Sequence, residues 1–148
     1  MMNRDVRRAT ENDAETLVTL NEEFNGVRMS TSDVISSFSE SKEIIALAIL
    51  DNEPVGFASA QYFRSFCYRD LQGEITEMYI QEPARRKGLA TMLITFLEQE
   101  LQLHGVTSIK IITGSSNNSA VKTYERSNYV KKDYIPLHKQ FRSWEGSK

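Results

Sequence analysis

The sequence predicts one α+β domain, a mixed α/β arrangement in three layers, and three observations carry that reading. Strand-like and helix-like segments follow one another in the order β-α-α-β-β-β-α-β-α-β-β along 148 residues. A short apolar strand runs into a basic, Gly-containing turn that opens a long amphipathic helix, over residues 77–91 (EMYIQEPARRKGLAT). A second strand-to-helix junction follows, SIKIIT at 108–113 and then NNSAVKTYERSNY at 117–129. With 40% hydrophobic residues the chain is long enough to bury a real core, and no second domain is needed.

Taken in order, Val6–Ala9 is a strand candidate. Thr10 with Asp13, followed by Ala14, Leu17, Val18 and Leu20, reads as a capped amphipathic helix to about Phe24, stopped by the turn Asn25-Gly26. Thr31 or Ser32 caps a short helix through Val34, Ile35 and Phe38 that ends in the polar run Ser39–Lys42. The two helices and their linker are expected to border a cleft. Glu43–Leu50 and Val55–Phe63 flank the turn Asp51-Asn52-Glu53-Pro54 and predict a hairpin. Residues 64–72 are irregular, and Gly73–Ile80 is the strand leading into the basic turn. From Gly88 the apolar positions Leu89, Met92, Leu93, Phe96, Leu97 and Leu101 keep helical spacing, with Gly105 as the stop. Strand 108–113, helix 119–127 and two last strands, Tyr129–Tyr134 and Leu137–Phe141, complete the order, and the tail from Arg142 is expected to fray.

Composition excludes several classes. A formal charge of −2 and an isoelectric point near 5.7 give no global basic field, against nucleic acid as the main partner. One cysteine, Cys67, rules out an intrachain disulfide, and two histidines with one cysteine show no metal-ligand spacing. A reducing cytoplasm is the expected home. The first residues lack the apolar core of a signal peptide, and no run approaches the roughly 20 apolar residues of a membrane span.

The basic turn has a direct physical reading. The first N–H groups of a helix have no intrahelical partner and carry partial positive charge, so an anion there gains hydrogen bonds and field together. Gly88 keeps that backbone approachable, and Arg85, Arg86 and Lys87 add cations suited to phosphates. Taken alone, such a run is most often a solvated surface turn.

The two junctions together resemble the GNAT acetyltransferases. The cofactor turn of that family reads Gln or Arg, two variable residues, Gly, one variable residue, then Gly or Ala; Arg85, Gly88 and Ala90 fill those places. Its later motif, with Asn, Ala, Tyr and a Gly-aromatic pair, is met by Asn117, Ala120, Tyr124 and Tyr129, while Asn128 stands where Gly is usual. Asn tolerates the left-handed conformation that ends a helix. The resemblance implies the GNAT acyl-CoA N-acyltransferase fold, with a central, mostly antiparallel mixed sheet, a splayed strand pair and flanking helices.

It also implies a chemistry. Acetyl-CoA would serve as cosubstrate, its pyrophosphate on the amides of Arg86, Lys87, Gly88, Leu89, Ala90 and Thr91 and its pantetheine along Met78, Tyr79 and Ile80, where a bulge splays the strand. Asn117 would contact the pantetheine arm and Tyr124 would act as general acid toward the thiolate. The oxyanion would be held by a backbone amide, that of Met78. An ammonium has no lone pair, so a base must take its proton. Glu74 and Glu77 are the candidates, Glu74 slightly ahead, and their spacing of three puts them on opposite faces of a regular strand unless the bulge intervenes. As isolated residues, both glutamates are as often plain solvent-facing positions, and Tyr124 is a common kind of core aromatic.

The acceptor should be bounded by the linker 25–31, the loop 62–71 and the segment 134–139. Phe24, Tyr62, Phe63, Phe66, Tyr68 and Tyr134 offer aromatic walls, Glu22, Glu23, Asp70 and Asp133 favour a cationic amine, and Arg28, Arg64 and Arg69 suit a carboxylate. The expected function is an enzyme, an N-acetyltransferase acting on a primary amine of a small molecule such as an aminoglycoside, polyamine or amino-acid-like compound. Protein or peptide N-acetylation is the alternative, and a non-catalytic acetyl-CoA sensor or a nucleotide-binding interaction domain are the readings from other classes. No metal, nucleic acid or membrane partner is expected, and fold-level analogy makes a homodimer through the last strands an option.

Overall fold

The computed structural model describes residues 2–142, so the tail from Ser143 lies outside the described residues. Five strands form one sheet in the order β1-β2-β3-β4-β5: β1 Arg4–Arg8, β2 Ile44–Leu50, β3 Glu53–Phe63, β4 Leu71–Ile80 and β5 Val106–Ile111. β1 to β4 pair antiparallel, and β4 pairs β5 in parallel. The β2–β3 connection is tight because Asp51 and Asn52 both take positive φ, 50° and 71°, the pair of left-handed residues that a two-residue hairpin turn requires.

Among the described residues four α-helices flank the sheet: α1 Ala14–Asn25, α2 Thr31–Glu40, α3 Leu89–Leu103 and α4 Asn118–Arg126. β2 is buried on both faces, as its nearly continuous apolar sequence requires. Ile45 and Leu47 pack with Phe57 against Leu17 and Leu20 of α1, with Val34 and Phe38 of α2 at the margin. Ile44, Ala46 and Ala48 face the other way with Ala58, Ala60 and Ile75, onto Leu89, Leu93, Leu97 and Leu101 of α3. The alanines let α3 approach the sheet closely.

The entry to α1 is fixed locally. Thr10 accepts a hydrogen bond from the Asn12 amide at 3.3 Å while Asp13 accepts from the Thr10 amide at 2.8 Å, a capping box, and Arg7 holds both Asp13 oxygens at 2.9 and 2.8 Å. Thr10→Ala is expected to lower the unfolding free energy by about 1 kcal/mol in urea titrations at pH 7. The Arg7 hydrogen bond keeps the Asp13 carboxyl below its usual range. Its contribution is therefore fully present above the ordinary carboxylate pKa of about 4 and is lost as pH falls through the lowered folded value.

The two last strands expected over 129–134 and 137–141 do not form; among the described residues 129–142 contain no strand. A strand exists only with a partner, and the Tyr129 hydroxyl, donating to Glu98 at 2.9 Å, ties the start of this segment to α3 instead of to the open edge of β5. Ile135, Leu137 and Phe141 are left 79%, 92% and 90% exposed.

Candidate active site

The β4–β5 ladder is short. Pairing runs from Leu71 with Val106 to Ile75 with Ile111 and then stops, while β4 continues through Thr76–Ile80 with β3 alone. The edge of β4 beyond Ile75 faces a fork, with backbone groups available to an extended ligand. Met78, Tyr79 and Ile80, the expected pantetheine contacts, lie on this stretch. Tyr79 offers only backbone there, because its ring packs on Phe24 and Phe57 at 5.7 and 6.2 Å between centroids and its hydroxyl donates to Glu23 at 3.1 Å.

A bulge decides where the glutamates point. Ser59 pairs with Glu77 and Ala60 with Ile75, leaving Thr76 as the extra residue on β4, and Gln61 then pairs with Glu74. Ser59 and Gln61 share a face of β3, so Glu77 and Glu74 share one face of β4 despite their spacing of three. Beneath them the Ser59 hydroxyl, 2% exposed, and the Thr76 hydroxyl are 2.9 Å apart. A third carboxylate joins this face. Ile45 pairs with Ser59, and Glu43 directly precedes β2, whose ladder with β3 ends at Ile44 opposite Ala60; strand alternation continued by one residue puts Glu43 on the side of Ile45.

The three carboxylates differ. Lys110 Nζ lies 3.6 Å from Glu74. Glu77 is solvent-exposed, yet its proton affinity is raised, first by desolvation, then by the charges of Glu43 and Glu74. Burial raises that of Glu43, and the nearby Ser59 hydroxyl opposes the shift.

At the end of β4 the basic turn is held from both sides. Arg85 turns inward, its Nε donating to the Ile80 carbonyl at 2.8 Å, while Arg4 of β1 donates to the Lys87 carbonyl at 2.6 Å. Arg86 and Gly88 both take left-handed φ, 62° and 83°, curling the backbone into the first turn of α3. Gly88 is the N-cap and carries no capping side chain, so the amides of Leu89, Ala90 and Thr91 open the helix. Leu89 itself is buried in the core, leaving its backbone for an anion.

On the α3 side, Asn117 caps α4 by accepting from the Ala120 amide at 3.2 Å, which occupies one of the atoms expected to face a ligand. Asn128 takes φ 71° and closes the helix, with its amide on Glu125 O at 2.9 Å and that of Tyr129 on Tyr124 O at 3.0 Å, as its place in the motif requires. Tyr124 is half-buried against the α3 cluster and 6.5 Å from the Tyr129 ring. Its hydroxyl has no hydrogen-bond partner among the described residues, and burial raises its pKa, keeping the phenol protonated near neutrality.

The structure does not bring the expected acceptor walls together. Phe24 is packed in the core beside Phe57, Tyr62 stacks on His104 at 4.7 Å, and Phe66, Tyr68 and Tyr134 are 100%, 64% and 79% exposed. Glu22 is taken up by Arg28 at 2.7 Å, and Glu23 by Tyr79 and Gln81. The α1–α2 linker does border a hollow of about 520 Å3, lined by Glu15, Val18, Thr19, Arg28, Met29, Ser30 and Thr31, apart from Glu74, Glu77 and Tyr124.

A bulged strand, a forked parallel pair and a left-handed Gly opening the next helix are thus joined in one chain. The family model of the acetyltransferase (GNAT) family matches residues 11–129. The chain belongs to the GNAT acetyltransferase family. This GNAT protein is an enzyme of the acyltransferase class, and its family uses acetyl-CoA as cosubstrate. No curated protein matches it. Among solved structures it is similar to an aminoglycoside acetyltransferase, HMB0005, from an uncultured soil metagenomic sample, with 20% identity, TM-score 0.83 and 95% and 99% of the two chains covered. A second such enzyme, meta-AAC0020, crystallised with trehalose, gives 15% identity, TM-score 0.82 and coverage of 94% and 97%. The ribosomal-protein-alanine N-acetyltransferase of Brucella melitensis biovar Abortus 2308 gives 17%, 0.80, and 95% and 100%. At these identities the likeness establishes the fold. Among the described residues no helix is long and apolar enough to cross a membrane, and no group of three or more His, Cys, Asp or Glu side chains is arranged to hold a metal.

Two residues of this site escape a reading of the motifs, Arg4 and Glu43. Neither lies in a motif, and each is brought in by pairing between segments distant in sequence.

Proposed function

We propose that this GNAT protein acetylates a primary amine of a small molecule, with Glu77 as proton acceptor and Tyr124 as proton donor. The observation that carries this reading is the fork beyond Ile75, with carboxylates on one sheet face and a half-buried, unpartnered phenol on the helix of the other layer. Residues 86–91 hold the pyrophosphate at the start of α3, and the free edge of Met78–Ile80 aligns the pantetheine, with the Met78 amide toward the thioester oxygen. Bound acetyl-CoA supplies an activated thioester. Glu77 takes the proton that makes the amine nucleophilic, directly or through water, and the Tyr124 hydroxyl serves the departing sulfur. Glu77 is preferred over Glu74 because Lys110 already partners Glu74. The carboxylate face favours a cationic acceptor such as a polyamine or aminoglycoside, and the aminoglycoside acetyltransferases among similar structures agree with that class.

Calorimetric titration should show micromolar binding of acetyl-CoA and none of ATP; equal binding of ATP would discard the reading. In an amine screen following CoA release, Glu77→Gln should lower kcat/KM about tenfold at pH 7 and remove its acidic limb, with Glu74→Gln milder. A Glu77→Gln enzyme with an intact limb would move the base elsewhere. The exposed apolar side chains of Ile135, Leu137 and Phe141, together with the open edge of β5, support a homodimer, which sedimentation would register as twice the monomer mass. The exposed Cys67 thiol suits a reducing cytoplasm.

A further inference from the structure

The charges on the carboxylate face do not balance. Register places Gln61, Glu74 and Lys110 in one row across β3, β4 and β5, with Glu43 just ahead of β2 at the end of that row, and Ile45, Ser59 and Glu77 in the next row. Lys110 pairs with Glu74 at 3.6 Å. Glu23 of α1 is turned onto Tyr79 and Gln81, and Lys42, next to Glu43 in sequence, lies over the Tyr62 ring at 5.7 Å. Among the described residues no cation forms a salt bridge with Glu43 or Glu77. Glu77 therefore faces Glu43 diagonally across β3, over the small Ser59 side chain, and Glu74 along its own strand.

We propose that Glu43 is a positioning residue for proton removal: its uncompensated charge, one row away on the same sheet face, makes Glu77 the carboxylate that holds a proton taken from the acceptor amine. This rests on the reading of Glu77 as base. A carboxylate facing another carboxylate binds a proton more tightly, and a general base works best when its pKa is brought up toward the working pH. Burial sets Glu43 apart from an ordinary surface glutamate, while Glu77, at the open side of the face, remains within reach of substrate. The proton moves from the ammonium to a Glu77 oxygen, the freed lone pair attacks the thioester carbon, and Glu43 neither gains nor loses a proton in the step.

The test is a pH titration of protein labelled with 13C at the glutamate carboxyl, the Glu77 resonance being the one that Glu77→Gln deletes. Glu43→Gln, nearly isosteric, should move the Glu77 midpoint to lower pH, and the acidic limb of kcat/KM should move with it. Glu43→Asp, which keeps the charge, should restore most of the midpoint. The difference between wild type and Glu43→Gln should shrink in 1 M salt, where the screening length falls to about 3 Å. A Glu77 midpoint unchanged in both Glu43 variants would overturn the proposal. A midpoint that moves while Glu77→Gln retains full activity would instead overturn Glu77 as the base, and with it the role of Glu43 in catalysis.

Discussion

Gly88→Val is expected to weaken acetyl-CoA binding about 100-fold, while Gly88→Asn retains it within a few-fold, as measured by calorimetry. Gly88 sits at φ 83°, a conformation that costs a side-chain-bearing residue roughly 1–2 kcal/mol and a β-branched one more. A Cβ added there would stand 2.7 Å from Arg4 Nη1, the far end of a flexible side chain, so crowding alone is cheap to relieve. Backbone conformation is then the deciding term. Valine escapes it by rotating the N-cap toward negative φ, which re-aims the first amides of α3 and pulls the Lys87 carbonyl from Arg4. Asparagine occupies the left-handed region at small cost, as Asn52 and Asn128 do in this chain at 71° each. Equal losses for Val and Asn would show that the lack of a side chain, and not the left-handed backbone, is what the site requires.

The same contrast between local and non-local causes separates what was legible in the sequence from what was not. Asn128 could be assigned a left-handed helix end from its own chemistry, and the helix of 89–103 from spacing, because each is decided within a few residues. The fork beyond Ile75 was expected from the family resemblance and is found in the ladder. The shared face of Glu74 and Glu77 was open in the sequence, since a spacing of three separates them on a regular strand; the bulge at Thr76 is a count of residues against the partner strand and has no signature in β4 alone. Glu43 was passed over for a similar reason, being a charged residue just ahead of an apolar strand until the ladders of β2, β3 and β4 bring that end of β2 and Glu77 onto one face. Residues 129–141 failed the other way. Their composition suits strands, but pairing is a property of two segments, and within the described residues this one has no partner.

Tyr124→Phe should lower kcat about 100- to 1000-fold and leave the affinity for acetyl-CoA nearly unchanged. The substitution removes one hydroxyl and keeps the ring that packs against the α3 cluster and Tyr129, so stability should hold. The raised pKa of Tyr124 comes from burial alone. The phenol therefore stays neutral through the physiological range, so its loss should depress the pH–rate profile there without moving its acidic limb. That signature separates the two groups, since Glu77→Gln removes the limb and Tyr124→Phe preserves it. A chain that only sensed acetyl-CoA would bind it equally with Tyr or Phe and release no CoA with either. Loss of cofactor affinity without loss of turnover at saturation would make Tyr124 a binding residue, and the proton delivered to sulfur would then have to come from solvent in the open fork.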